Sequence, residues 1–138
     1  MVKQLNVYME YVKTVLLIDD NPSCNFIMSE FIKLADDRIR VLSAESVADA
    51  LAILDDSTTF PEVIYVDINM PVQNGFDFIE QYERKFLSFQ PDASLFVLSS
   101  SLREEDKQQA LNYPSVKGFM SKNDIDSYLQ KSLLREYV

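Results

Sequence analysis

The stretch Val63-Ile64-Tyr65-Val66-Asp67-Ile68-Asn69-Met70-Pro71-Val72-Gln73-Asn74-Gly75 carries the reading of this chain. Four β-prone apolar residues run directly into an aspartate. That run is too short for a helix and reads as a strand buried on both faces. Residues 70–75 hold the proline and glycine of a loop, and Phe76, Ile79, Tyr82 and Phe86 then recur at helical spacing.

The same alternation continues in both directions. Upstream, Thr14-Val15-Leu16-Leu17-Ile18 is a second short apolar run that stops at Asp19-Asp20-Asn21-Pro22. Asn21 suits a helix N-cap and Pro22 a first helical position. Cys24, Ile27, Met28, Phe31 and Ala35 predict the apolar face of the helix that follows, with Cys24 as a buried structural thiol. Residues 39–43 read as a strand. Ser46 with Asp49 opens a helix whose stripe is Val47, Ala50, Leu51 and Leu54. Downstream, residues 95–98 and 118–120 read as strands, and residues 103–112 as a polar helix. A last helix, capped by Asn123, carries Ile125, Tyr128, Leu129 and Leu133 and is expected to close the chain. Gly75 is expected where the loop needs a positive φ or close packing. Five strands alternating with five helices predict βαβ units, hence an α/β domain with a parallel sheet and helices on both faces.

The chain has 138 residues, 22 acidic against 13 basic side chains, one cysteine and no histidine. A net charge of −9 argues against nucleic acid as a ligand, because phosphate binding needs clustered Lys and Arg. Without histidine the chain has no Ser-His-Asp or Cys-His machinery and no histidine-bound metal. The single cysteine, Cys24, fits a reducing compartment. No apolar run approaches the roughly 20 residues of a membrane span, and no signal-peptide pattern opens the chain. A cytoplasmic protein is the expectation. Residues 1–13 form a lead of unknown role. Leu5, Tyr8, Met9 and Val12 in it have helical spacing, and the expectation is a tail that packs locally rather than a docking helix.

In open parallel sheets, chemistry gathers beyond the carboxyl ends of the strands. Here those ends carry Asp19 and Asp20, then Asp67, then Ser99-Ser100-Ser101, with Lys122 after the fifth strand. Crowded carboxylates repel, and a hard divalent cation such as Mg²⁺ relieves that repulsion through oxygen ligands.

These residues resemble the receiver domain of two-component response regulators, the CheY-like family. The resemblance rests on Leu17-Ile18-Asp19-Asp20-Asn21, on residues 66–75 from Val66 and Asp67 through Met70-Pro71 to Gly75, on Val97-Leu98-Ser99-Ser100-Ser101, and on Gly118-Phe119-Met120-Ser121-Lys122. It spans about residues 14–137 and implies a receiver over 14–138. The fold it implies is the doubly wound (βα)5, flavodoxin-like one, with a five-stranded parallel sheet in the order 2-1-3-4-5. It implies Asp67 as phosphoacceptor and a Mg²⁺ (or Mn²⁺) site formed by Asp19, Asp20, Asp67 and the backbone carbonyl of Asn69. Lys122 would meet a phosphoryl oxygen, and Ser99, with Ser100 as the alternative, would donate its hydroxyl to the phosphate. Phe119 would switch between outward and inward positions or simply belong to the core. Asn69 and Ser101 would set the lifetime of the phosphate by admitting water. Phe119 stands three residues before Lys122, as the family pattern requires, which leaves Lys117 as a solvated loop residue. The family usually has proline after this lysine; here Asn123 follows.

The resemblance implies a stand-alone signalling switch rather than an enzyme, catalysing at most its own phosphorylation and dephosphorylation. The implied partners are a sensor histidine kinase or histidine phosphotransfer protein and a downstream protein target bound through 103–137, with the receiver a monomer or a phosphorylation-dependent dimer. Output would be a protein contact or onward phosphotransfer. A non-phosphorylated adaptor is the alternative, but it predicts gaps among Asp19, Asp20, Asp67, Ser99 and Lys122, and there are none. An aspartyl-phosphate hydrolase commonly needs an acid two places after its nucleophile, where this chain has Asn69. A flavin protein would need a phosphate-binding loop after the first strand, and that loop is missing.

Overall fold

A computed structural model describes residues 8–101 and 103–137. The chain runs through β1 (Tyr8–Tyr11), β2 (Thr14–Ile18), α1 (Pro22–Ala35), β3 (Arg40–Ala44), α2 (Val47–Asp55), β4 (Val63–Asp67) and α3 (Gly75–Lys85). It continues through β5 (Ser94–Ser99), α4 (Glu104–Leu111), β6 (Val116–Ser121), α5 (Ile125–Leu133) and β7 (Leu134–Tyr137). Strands β2 to β6 form a parallel sheet in the order β3-β2-β4-β5-β6, which is the expected 2-1-3-4-5 order of a CheY-like α/β fold.

Successive residues of a strand face opposite sides, so each apolar run supplies two cores. Leu16, Ile18, Ile64, Val66, Leu95 and Val97 pack beneath α2 and α3 with Leu54, Phe78, Ile79 and Tyr82. Val15, Leu17, Val63, Tyr65 and Leu98 face the other way and meet Met28 and Ile32 of α1 and Leu129 and Leu133 of α5. β2 and β4 are buried at every position, as their unbroken apolar runs predict. Asn21 caps α1 by accepting from the backbone N–H groups of Ser23 and Cys24. Asn74 caps α3 in a reciprocal box with Asp77.

Five local expectations are corrected. Tyr8–Tyr11 is a strand, not a helical or loosely packed lead, and it pairs antiparallel with β7 in a separate two-stranded ribbon. Leu5, the other end of that spacing, lies outside the described residues. Correspondingly, the last helix stops at Leu133 and β7 takes over. Asn123 does not cap that helix. It lies in a short 3-10 turn over Lys122–Asp124, and its N–H donates to Ser121 Oγ at 3.1 Å. Ile27 is exposed and Cys24 only half-buried, because the inward face of α1 is Asn25, Met28 and Ile32. Lys117 is exposed as expected, but within β6 rather than in a loop.

The ribbon sits at the amino edge of the main sheet. Val12 N–H donates to the Leu133 carbonyl at 2.8 Å. Arg135 Nη2 donates to the carbonyls of Glu62 at 2.7 Å and Asp92 at 2.6 Å, just before β4 and β5 begin. The Glu62 carboxylate in turn accepts from Lys13 N–H at 2.6 Å. Among the described residues, no helix is long and apolar enough to cross a membrane.

Candidate functional site at the carboxyl edge of the sheet

β2 and β4 are neighbours and end in register, so Asp19 and Asp67 emerge side by side. Both are buried, at 4% exposure each, while Asp20 is exposed. Carboxylate oxygens of the three lie within 4.8 Å of one another. The two buried acids are held in the same way. Asp19 Oδ1 accepts from Asn21 N–H at 3.0 Å, and Asp67 Oδ1 from Asn69 N–H at 3.3 Å. Their second oxygens both face Lys122, whose Nζ lies 2.6 Å from Asp19 Oδ2 and 3.4 Å from Asp67 Oδ2. One ammonium thus lies against two carboxylates that would otherwise repel.

Burial pushes the Asp67 carboxyl above the usual carboxylate range. The Lys122 charge opposes that rise and the Asp19 charge adds to it. For Lys122, burial alone would lower the pKa, but the hydrogen bond to Asp19 and the charges of Asp67 and Asp19 outweigh it and hold the ammonium above its ordinary value. Among the described residues no peptide bond is cis, so the asparagine after Lys122 is accommodated by a trans bond that leads into the 3-10 turn.

Gly75 brings α3 against the end of β4. A Cβ there would lie 2.7 Å from both the Asp67 carbonyl oxygen and Ile68 Cα. The reason for this glycine is close packing, since its φ is not positive; the positive φ of the loop falls on Val72 instead.

Ser99 ends β5, fully buried, one residue beyond the Leu98 that pairs with Asp67. Its hydroxyl donates to the Ser101 carbonyl at 2.5 Å, and its oxygen accepts from Ser101 N–H at 3.1 Å. Ser100 is exposed, which favours Ser99 for the inward hydroxyl. Phe119 is half-buried on β6 and borders a groove of about 320 Å³ that is also lined by Lys107, Ser121 and Tyr128. Asn69 is exposed at the mouth of the cluster.

One contributor escapes the sequence reading. Asn25, on the buried face of α1, donates from Nδ2 to the Asp19 carbonyl at 3.1 Å and to the Ala44 carbonyl at 3.2 Å. Its spacing of three and seven residues from Met28 and Ile32 marks it as inward-facing, and that was the available signal.

The donor set is all oxygen, from three carboxylates, which suits a hard divalent cation that keeps part of its water shell on the exposed side. A doubly wound parallel sheet with paired acids, a third aspartate and a lysine at its carboxyl edge defines the receiver class of α/β domain. The chain belongs to the response regulator receiver family: the model of the response regulator receiver domain matches residues 15–133. Both ribbon strands lie outside that match. The nitrate/nitrite response regulator protein NarL of Escherichia coli is 32% identical over 120 residues, covering 87% of this chain and 48% of NarL. The chain therefore spans about half the length of the curated relatives it matches. Among solved structures, a two-component response regulator from Cytophaga hutchinsonii superposes with a TM-score of 0.78 at 28% identity, covering 90% of this chain and 98% of that one. The chemotaxis protein CheY4 of Vibrio cholerae superposes with a TM-score of 0.72 at 26% identity, covering 88% and 98%. Receiver domains are signalling modules of two-component systems, and they bind Mg²⁺ at an acidic pocket.

Proposed function

We propose that this receiver accepts a phosphoryl group on Asp67 from a phosphohistidine of a partner kinase or phosphotransfer protein. The observation that supports this most directly is the placement of Lys122 Nζ against both Asp19 and Asp67. An acceptor carboxylate needs a neighbouring positive charge when a negatively charged phosphoryl group approaches it. An Asp67 oxygen attacks phosphorus, the P–N bond to the partner imidazole breaks, and a P–O bond forms as an acyl phosphate. Asp19, Asp20, Asp67 and the Asn69 carbonyl would hold a Mg²⁺, which would neutralise charge on the transferring oxygens.

Lys122 serves as a point charge on one phosphoryl oxygen, a role suited to a compact ammonium. Its contact with Asp67 loosens as the phosphoryl oxygens take over the ammonium. Ser99 then has a choice of acceptors. Its hydroxyl leaves the Ser101 carbonyl and turns to the phosphoryl group, whose three oxygens are the stronger acceptors. Movement of the 99–101 segment frees room beside Phe119 and alters the surface formed by 103–137, where a protein target binds. Asn69 and Ser101, both small and polar, leave water a path to the phosphate and so set its lifetime.

The test is incubation with Mg²⁺ and acetyl phosphate, read by intact-mass spectrometry. One added phosphoryl group that disappears in Asp67→Ala is the expected result. No modification, or modification that survives Asp67→Ala, removes the proposal. Size measurement with and without a beryllofluoride phosphate mimic distinguishes a monomer from a phosphorylation-dependent dimer.

A further inference from the structure

Asn25 lies beside the acidic cluster yet takes none of the roles above. It is 6% exposed and shares the inward face of α1 with Met28 and Ile32. A buried amide that finds no hydrogen bonds has lost its hydration without compensation. An apolar residue at this place in the stripe would have met no such demand. The side-chain amide of Asn25 donates to two carbonyls, those of Asp19 and Ala44, at 3.1 and 3.2 Å.

Those carbonyls mark the point where the ladder between β2 and β3 stops. Asp19 N–H still donates to the Ala44 carbonyl at 3.1 Å, the last rung. Beyond it the Asp19 peptide leaves the sheet and turns toward α1, and the Asn25 amide takes over as its fastening. The carboxylate of the same residue is fixed at Oδ1 by Asn21 N–H and at Oδ2 by Lys122. If the peptide swings, Oδ1 and Oδ2 swing with it.

We propose that Asn25 is a positioning residue for the cation site: by tying the Asp19 peptide to β3 and α1, it sets the direction in which Asp19 presents its carboxylate to a divalent cation. The inference rests on the reading of Asp19, Asp20 and Asp67 as cation ligands. Groups that orient a metal ligand typically weigh on affinity by about 10- to 100-fold when removed.

The test is Mn²⁺ binding, read from the paramagnetic resonance signal of free Mn²⁺, alongside thermal melting in the absence of metal. The proteins are wild type, Asn25→Ala, Asn25→Ser and Ile32→Val, the last a buried apolar change on the same helix away from the cluster. Asn25→Ala is expected to weaken Mn²⁺ binding by about tenfold. Asn25→Ser, which keeps a hydroxyl donor, should weaken it less. Ile32→Val should lower the melting temperature and leave Mn²⁺ affinity unchanged. Wild-type affinity in a folded Asn25→Ala protein with a lowered melting temperature would make Asn25 a packing element only and overturn the proposal. If Asn25→Ala does not fold, Asn25→Ser against Ile32→Val decides the same question. A wild-type protein that binds no Mn²⁺ overturns the cation site itself, and this shows before any variant is compared.

Discussion

Alanine in place of Gly75 sets two effects of opposite sign against each other. In an ordinary first helical turn, Gly→Ala stabilises by up to about 1 kcal/mol, because alanine loses less backbone freedom on folding. Backbone strain would not reverse that here, since Gly75 has no positive φ. Space does. The added Cβ would lie 2.7 Å from the Asp67 carbonyl oxygen and from Ile68 Cα, about 0.7 Å inside the 3.4 Å at which ordinary contact begins. Both obstacles are backbone, so no side chain can rotate away. The approach is also fastened, because Gly75 N–H donates to the Ile68 carbonyl at 3.1 Å. Overpacking costs about 1–3 kcal/mol, and two rigid obstacles put this site at about 2–3 kcal/mol. Less the gain of up to about 1 kcal/mol, the net loss is about 1–2 kcal/mol, a fall of roughly 3–8 °C in melting temperature for a chain of this size. Thermal unfolding followed by circular dichroism reads it directly. The displaced atom is the carbonyl of the proposed acceptor, so Mg²⁺ affinity should fall in the same variant. A Gly75→Ala protein that melts at or above wild type would refute the close approach and the reasoning built on it.

Three further outcomes are expected. Because burial raises the Asp67 pKa, the native state holds more protons than the unfolded chain between the ordinary carboxylate pKa and the raised one, so stability falls as pH rises through that window. Asp67→Asn should therefore melt above wild type at pH 7, with the gap closing as acidification protonates Asp67; a variant that melts lower at pH 7 contradicts this. Lys122→Met leaves Asp19 and Asp67 without their shared ammonium and should cost about 2 kcal/mol without metal, less than a fully buried pair because Lys122 is partly exposed. Mg²⁺ should then raise the melting temperature of Lys122→Met more than that of wild type, and equal gains in calorimetric scans would count against the arrangement. Arg135→Ala removes two charge-assisted hydrogen bonds and should cost about 1–3 kcal/mol, with faster amide exchange confined to 8–11 and 134–137. Faster exchange in β4 as well would show that the ribbon and sheet open together.

The parallel sheet was legible because its strands are buried on both faces and so appear as uninterrupted runs such as Val63-Ile64-Tyr65-Val66. The cluster at its edge was legible because strand ends in such a sheet converge whatever the loops do. What stayed hidden depended on distant partners. Leu134 follows Leu133 and continues the helical spacing of α5, and only pairing with Tyr11, far back in the chain, makes it a strand. Four residues are too few for period two to stand out from period 3.6. Asn25 is hidden because a polar side chain on a helix ordinarily faces water, and nothing local marks the two carbonyls, just past β2 and at the end of β3, that accept from it. Ile27 failed in the opposite sense: α1 is inward at Asn25, Met28 and Ile32, and that stripe leaves Ile27 in solvent.

The pairing of Tyr8–Tyr11 with Leu134–Tyr137 also has a consequence for the order of folding. Strands so far apart in sequence can meet only by closing nearly the whole chain into a loop, an entropic cost that contacts between neighbouring βα units avoid. During synthesis β1 is made before the five strands of the main sheet and β7 after them, so β1 waits as an unpaired edge while that sheet assembles. Lys13, in the link from β1 to β2, can reach Glu62 as soon as β4 is in place. The Arg135 clamp arrives only with β7. The ribbon thus locks after the main sheet, and the sheet that carries the acidic cluster is complete before it closes.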